Sequence, residues 1–172
     1  RDETMRAETL SRVTPLIKEF INGSKNMPDS IVAIRDGRFF KNDGVFDFVQ
    51  ALPVKTALLE IIKNPVPLLL NGNRQASPGT VVEISREEDA LLQTSSPMVK
   101  GQIGKPIRLR IRSNPLGMPL ASYAQAILGL CHAPSLGLRN TRLPAPIYWS
   151  NGIAKEAGRS IQFGGLNHVP HN

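Results

Sequence analysis

Asp36 is the residue whose neighbours best equip it for chemistry. It ends the run Ser30 to Arg35 (SIVAIR), which reads as a short buried strand, and Gly37 follows it. A carboxylate at a rigid strand end, with a glycine letting the backbone turn away, would face a cleft and could ligate a hard cation. Asp-Gly is also an ordinary turn pair, and on local grounds alone that is the favoured reading. Arg108, Arg110 and Arg112 alternate with Ile107, Leu109 and Ile111, so a strand there carries three guanidiniums on one face. Such a face could track phosphates, or be the wet side of a half-buried strand. Cys131-His132 invites a thiol-nucleophile reading, but adjacent side chains on a helix point apart, and an apolar helix end suggests packing. His168 and His171 are spaced H-x-x-H in a polar tail, which reads as solvated rather than as a zinc site. Lys55, Lys63 and Lys100 are scattered and take no assignment.

The elements that must position these residues can be read from periodicity. Leu10, Val13, Ile17, Phe20 and Ile21 fall three or four apart, predicting a helix from about Glu3 to Ile21. Pro15 lies inside it and should kink or interrupt it. The stretch NGSKNMPDS is a loop by composition. After Asp36-Gly37, strands are expected at TALLEIIK, PLLLN, TVVEIS, DALLQT and PIRLRIRS. Pro119 to Cys131 reads as a helix with Leu120, Ala124, Ile127, Leu128 and Cys131 along one side. A loop from Ala133 to Pro146 and a second helix from about Trp149 to Arg159 follow. The end, 163–172, is Gly-rich and polar and expected to be poorly ordered. There are no internal repeats and no long linker, which argues for one α/β domain.

Composition sets the outer limits. The chain has 172 residues, enough for one domain with a sizeable core. No apolar run approaches the roughly 20 residues a membrane helix needs, and the polar opening RDETMRAET is no signal peptide. One cysteine excludes an internal disulfide and fits a reducing cytoplasm. Lys and Arg total 21 against 14 Asp and Glu, a formal charge of +7 that favours polyanionic partners through counterion release. Aromatics are only 5%, which disfavours a base-stacking platform.

Three stretches resemble argonaute PIWI domains of prokaryotic type, in the same order and at similar spacing. They are IVAIRDGRF (Ile31 to Phe39), KNPVPLLLNG with PGTVVEIS (Pro78 to Ser85), and LCHAPSLGLRNTRLPAPIYWSNGIAKEAGR (Leu130 to Arg159). The segment GKPIRLRI is similar to the strand before the family's penultimate helix. The resemblance covers nearly the whole chain and implies that residues 1–172 are the C-terminal portion of a PIWI domain. The implied fold is α/β and RNase H-like, a mixed sheet flanked by helices and present here as a partial domain.

The resemblance also implies a chemistry. PIWI domains cut a nucleic-acid strand with two divalent cations, Mg²⁺ or Mn²⁺, held by an aspartate, a mobile glutamate, a second aspartate and a fourth ligand that is usually Asp or His. Two such ions about 4 Å apart can activate water and stabilise the leaving oxygen. Asp36 stands where the second aspartate is expected. Glu8 falls at the glutamate when the first helix is aligned by its apolar face and Lys18-Glu19, with Glu3 as fallback; it also reads as an ordinary helix-start glutamate favoured by the dipole. Asn151 takes the fourth position, counted from Pro144 to Tyr148. This departs from the family: an amide oxygen can ligate but brings no charge, and Asn151 suits a helix N-cap equally well. No strand precedes Glu8 to carry the first aspartate, so this chain should not cleave alone. Arg139, Arg142 and Tyr148 are expected to touch the guide-strand backbone, positioning without reading sequence, unless that loop is merely solvated.

The implied function is therefore the nuclease module of a nucleic-acid-guided endonuclease. Its expected partners are guide and target strands, DNA or RNA, and the upstream part of the argonaute (MID and the first half of PIWI). A guide-dependent binder without cleavage is the alternative, which Asn151 and the missing aspartate favour. A structural half-domain with no nucleic-acid role is a third, opposed by the basic balance.

Overall fold

A computed structural model of the chain describes residues 7–40, 44–96, 104–132 and 141–164; within its terminal helices, side chains are described from Leu10 and up to Glu156. Helix α1 (Ala7–Gly23) leads into strand β1 (Ser30–Asp36), a short helix α2 (Val45–Gln50) and strand β2 (Lys55–Ile62). A two-stranded ribbon, β3 (Leu70–Asn71) with β4 (Arg74–Gln75), precedes the hairpin β5 (Val81–Ser85) and β6 (Asp89–Leu92). Strand β7 (Ile107–Ser113) and helices α3 (Leu120–Cys131) and α4 (Ala145–Gly164) complete the order. The main sheet runs β1-β2-β7-β6-β5, parallel between β1 and β2 and antiparallel elsewhere. This is the mixed α/β architecture that the sequence implies.

Strand β2 sits at the heart of the sheet, and its sequence says why. TALLEII is an almost unbroken apolar run, and every residue of it is buried, as expected for a strand covered on both faces. One face, with Ala57, Leu59 and Ile61, joins Ala90, Leu92, Ile107 and Leu109 beneath α3 and α4. Leu120, Tyr123, Ala124, Ile127 and Cys131 project from α3 at helical spacing to close that core, with Ile147 from α4. Truncating a side chain as enclosed as Leu59 would cost about 2–5 kcal/mol. On the other face, Leu58 packs against Phe39 and Val45, while Leu91 meets Leu69 and Ala76 near the ribbon.

Pro15 does not break α1, which continues as one element from Ala7 to Gly23. Pro15 lies on the exposed side of the helix, where its ring meets solvent. Helix α2 has no counterpart in the expected elements. It lies in the crossover that parallel β1 and β2 require. The expected strand PLLLN shrinks to Leu70–Asn71, and α4 starts at Ala145 rather than Trp149, since Pro146 is tolerated in a first helical turn. The end, 165–172, lies outside the described residues, and with it His168 and His171.

Candidate functional site

Parallel strands stop at a common edge. Here the N–H of Gly37 donates to the Ile61 carbonyl at 2.9 Å as the final rung between β1 and β2. In open α/β sheets, the crevice at the carboxyl ends of such strands is where ligands bind. Gly37 takes φ +108°, a conformation side-chain-bearing residues rarely adopt, with open space around it. The chain thus turns sharply off the sheet just past Asp36. Asp36 lines a cleft of about 570 Å³ with Arg38, Phe40, Ile62, Lys63 and Asn64.

Two donors converge on one oxygen of Asp36. Lys63, the first residue beyond β2, puts its Nζ 2.6 Å from Asp36 Oδ2. Asn151, on α4, donates from Nδ2 to the same oxygen at 3.0 Å. Since α4 begins at Ala145, Asn151 is not its N-cap; it reaches inward from the second turn. The amide presents its nitrogen, so in this arrangement Asn151 is a hydrogen-bond donor to Asp36.

The wall behind this cluster is firmly built. Buried Glu60 accepts from the backbone N–H of Phe39 at 2.7 Å, pinning the turn after Asp36 to β2. Arg112 Nε approaches Glu60 at 3.4 Å and Arg110 at 3.8 Å. Arg35 lies over the rings of Phe39 and Phe40, 5.5 and 5.6 Å from their centroids. On the other side, Arg142 turns inward and donates from one terminal nitrogen to the carbonyls of Lys63 (2.8 Å) and Pro106 (2.9 Å). Burial pulls the Arg142 guanidinium below its ordinary pKa, opposed by the nearby charge of Asp36. The Arg142 carbonyl in turn accepts from Thr94 Oγ1 at 2.8 Å, and Thr141 bonds the carbonyls of Cys131 and Leu143. The segment entering α4 is stapled to the sheet through these contacts.

Asp36 and Asn151 therefore meet, although 115 positions separate them. Glu8 lies in the first turns of α1, with its side chain outside the described residues, as is the whole of Arg139. Tyr148 stands exposed on α4, one turn before Asn151. Arg142 is partly buried, with its contacts directed to backbone carbonyls rather than outward. Lys63 is the residue that sequence reasoning left unassigned. Its signal was its place just past a strand parallel to β1, which becomes informative only once that pairing is known.

The other candidates resolve as packing. The three arginines of β7 do share a face, but Arg108 and Arg110 both bond Asp89 on the neighbouring strand. Burial alone would raise the Asp89 carboxyl; the hydrogen bonds from Arg108 and Arg110 overcome this and hold it below its usual value. Cys131 is buried in the core, which pushes its thiol up to about 12, and His132 bonds the Thr94 carbonyl at 2.9 Å. Neither forms a nucleophile–base pair.

Among the described residues, no three His, Cys, Asp or Glu side chains cluster to hold a metal. Asp36 nonetheless draws a positive charge, the Lys63 ammonium, onto one oxygen of its half-buried carboxylate. Asn151 turns its amide nitrogen to the same oxygen, so among the described residues Asp36 is the one carboxylate ligand this cluster would offer a hard cation.

The fold defined by this sheet and its helices is α/β, of the RNase H-like kind found in argonautes. The argonaute of Aquifex aeolicus superposes with a TM-score of 0.68 at 25% identity, over 86% of this chain and 21% of that one. The Clostridium butyricum argonaute, solved with a guide DNA and a 19-mer target DNA, gives 0.73 at 17% identity, over 89% and 21%. The Marinitoga piezophila argonaute, solved with a guide RNA and target DNA, gives 0.64 at 20%, over 86% and 22%. The chain spans about a fifth of the length of these argonautes. No family model matches the sequence, and no curated protein does. Among the described residues, no helix is long and apolar enough to cross a membrane.

Proposed function

We propose that residues 1–172 form the C-terminal portion of a PIWI domain, the nuclease module of a nucleic-acid-guided endonuclease that cuts a guide-paired target strand. The observation that carries this reading is the meeting of Asp36 and Asn151 at 3.0 Å, at the carboxyl ends of two parallel strands. Asp36 and the Asn151 amide would help hold Mg²⁺ or Mn²⁺, joined by Glu8 from α1. When bound, such ions supply an activated water and charge stabilisation at the leaving oxygen. The chain's own part is positional. Glu60 and Gly37 fix the turn that presents Asp36, and Arg142 fixes the backbone of Lys63. Arg139 and exposed Tyr148 are assigned to the guide backbone.

The remaining members of the site would come from the rest of the argonaute, MID and the first half of PIWI, which supply the first aspartate. Relatives solved with DNA and RNA guides leave the guide chemistry of this protein open to either. The alternative is a guide-dependent binder that does not cleave, which the lysine against Asp36 would suit. Target cleavage by the guide-loaded full-length protein with Mn²⁺ decides between them. Cutting at one position supports the nuclease; tight binding of guide and target with no cutting moves the assignment to the binder.

A further inference from the structure

We propose that the open edge of β5 is a docking site for an extended, basic segment from the rest of the full-length protein, which adds to the sheet as a further strand. The inference goes beyond the nuclease reading and rests on one part of it, that residues 1–172 belong to a longer argonaute. The chain spans about a fifth of the argonautes it superposes on, so most of such a protein lies outside it.

Strand β5 ends the sheet order on the side away from β1. The Gln93 N–H donates to the Thr80 carbonyl at 2.9 Å, with Val81 opposite Leu92 and Glu83 opposite Ala90. In this antiparallel register Val82 turns its N–H and C=O to β6, while Val81 and Glu83 turn theirs outward. Among the described residues, nothing bonds those outward groups. The register slips only past Glu83, towards the turn. Edges that stay in water are commonly blunted by lysine or proline, and VVEIS has neither. It exposes apolar Val81 on one face and Val82 and Ile84 on the other, so an added strand would find apolar neighbours on both.

Charge decides which kind of strand fits. The chain carries +7, yet Glu83, Glu87 and Glu88 gather at this edge and its turn, all exposed, with Arg86 among them. None of the three carboxylates has an ion pair among the described residues. A lysine or arginine opposite Glu83 on an added strand would lie about 5 Å away, where opposite charges stabilise a cross-strand pair. A second copy pairing antiparallel about Glu83 would instead set Glu83 against itself. A segment of the same polypeptide also has the higher effective concentration, being covalently tethered.

The test is backbone amide exchange of the full-length protein, read residue by residue. No guide, target or metal is added, so a failure to cleave leaves the result untouched. The N–H groups of Val81 and Glu83 should exchange at least about a hundredfold more slowly than in an unstructured chain, equally at low and high protein concentration. Glu83→Lys should speed exchange at Val81 about fivefold, as an opposite-charge pair gives way to repulsion. Glu83→Gln, with a smaller effect in the same direction, serves if the reversal fails to fold. Free exchange at Val81 and Glu83 beside a protected Val82 leaves the edge open and overturns the proposal. Protection that grows with protein concentration assigns the edge to a second copy and overturns it too. Protection that both Glu83 variants leave unchanged overturns the basic segment.

Discussion

Arg142 shows how far one side chain can depart from what its neighbours suggest. Among Asn140, Thr141 and Pro144 it looks like part of a wet loop that meets phosphates. Its guanidinium instead ties the ends of β2 and β7 to the entry of α4 through two backbone carbonyls. Arg142→Ala would strand both acceptors in a partly buried setting and should destabilise the fold by about 2–4 kcal/mol, read as a lowered urea midpoint. If Arg142 were instead a phosphate contact, stability would hold and only nucleic-acid affinity would fall. Cys131 offers a cleaner check. Its thiol is held up to about 12 by burial, against an ordinary 9, so the unfolded chain ionises first as pH rises. Its contribution to stability is complete below pH 9 and is lost as pH climbs from there towards 12. Native protein at pH 8 should accordingly resist alkylation that proceeds at once in urea; rapid native alkylation would mean an accessible thiol. At this scale the strand end at Asp36 was legible, because an apolar run and a following glycine are both written locally. Lys63 and Arg142 were not, because their partners lie across the sheet.

The strands carry a second message. Arg108, Arg110 and Arg112 alternate as a strand demands, and that alternation was plain in the sequence. What they face was not: Asp89 on β6 and Glu60 on β2 are brought opposite only by the order of the sheet. Asp89 is buried and takes bonds from both Arg108 and Arg110, so Asp89→Ala would leave two cations against a low-polarity surface. A loss of about 3 kcal/mol is expected, measurable as a fall in unfolding midpoint. The pH dependence has a definite sign. Because its folded pKa lies below the usual 3.8, the Asp89 contribution is present above that value and lost as pH falls beneath it. The variant should show less of this acid destabilisation than the parent. The elements missed by sequence were those with weak periodicity. Helix α2 is six residues long, too short to display a face, and the first turn of α4 hides behind two prolines.

At the scale of the molecule, the uncovered surfaces matter most. Helix α1 buries Leu10 and Ile21 but leaves Leu16 and Phe20 64% and 74% exposed, with Val13 on the same side. Among the described residues strand β1 pairs only with β2, and an apolar groove of about 460 Å³ runs beside it, lined by Val32, Met118, Ala126 and Leu130. In the proposed assembly the rest of the argonaute covers these faces. Phe20→Asp should therefore leave the stability of residues 1–172 within about 0.5 kcal/mol, yet lower the unfolding midpoint of the full-length protein. Equal indifference in both would mean that the face stays open. The chain's +7 should also make guide and target binding weaken steeply with salt. Under the proposed function, Asp36 with Asn151 would anchor a cation site that cuts. The most direct measurement is the rate of Mn²⁺-dependent target cleavage by the guide-loaded full-length protein, beside its Asp36→Ala variant. Single-position cutting that falls about a thousandfold or more in the variant, some 4 kcal/mol of lost stabilisation, is the expected result. Cutting that persists in Asp36→Ala would contradict it.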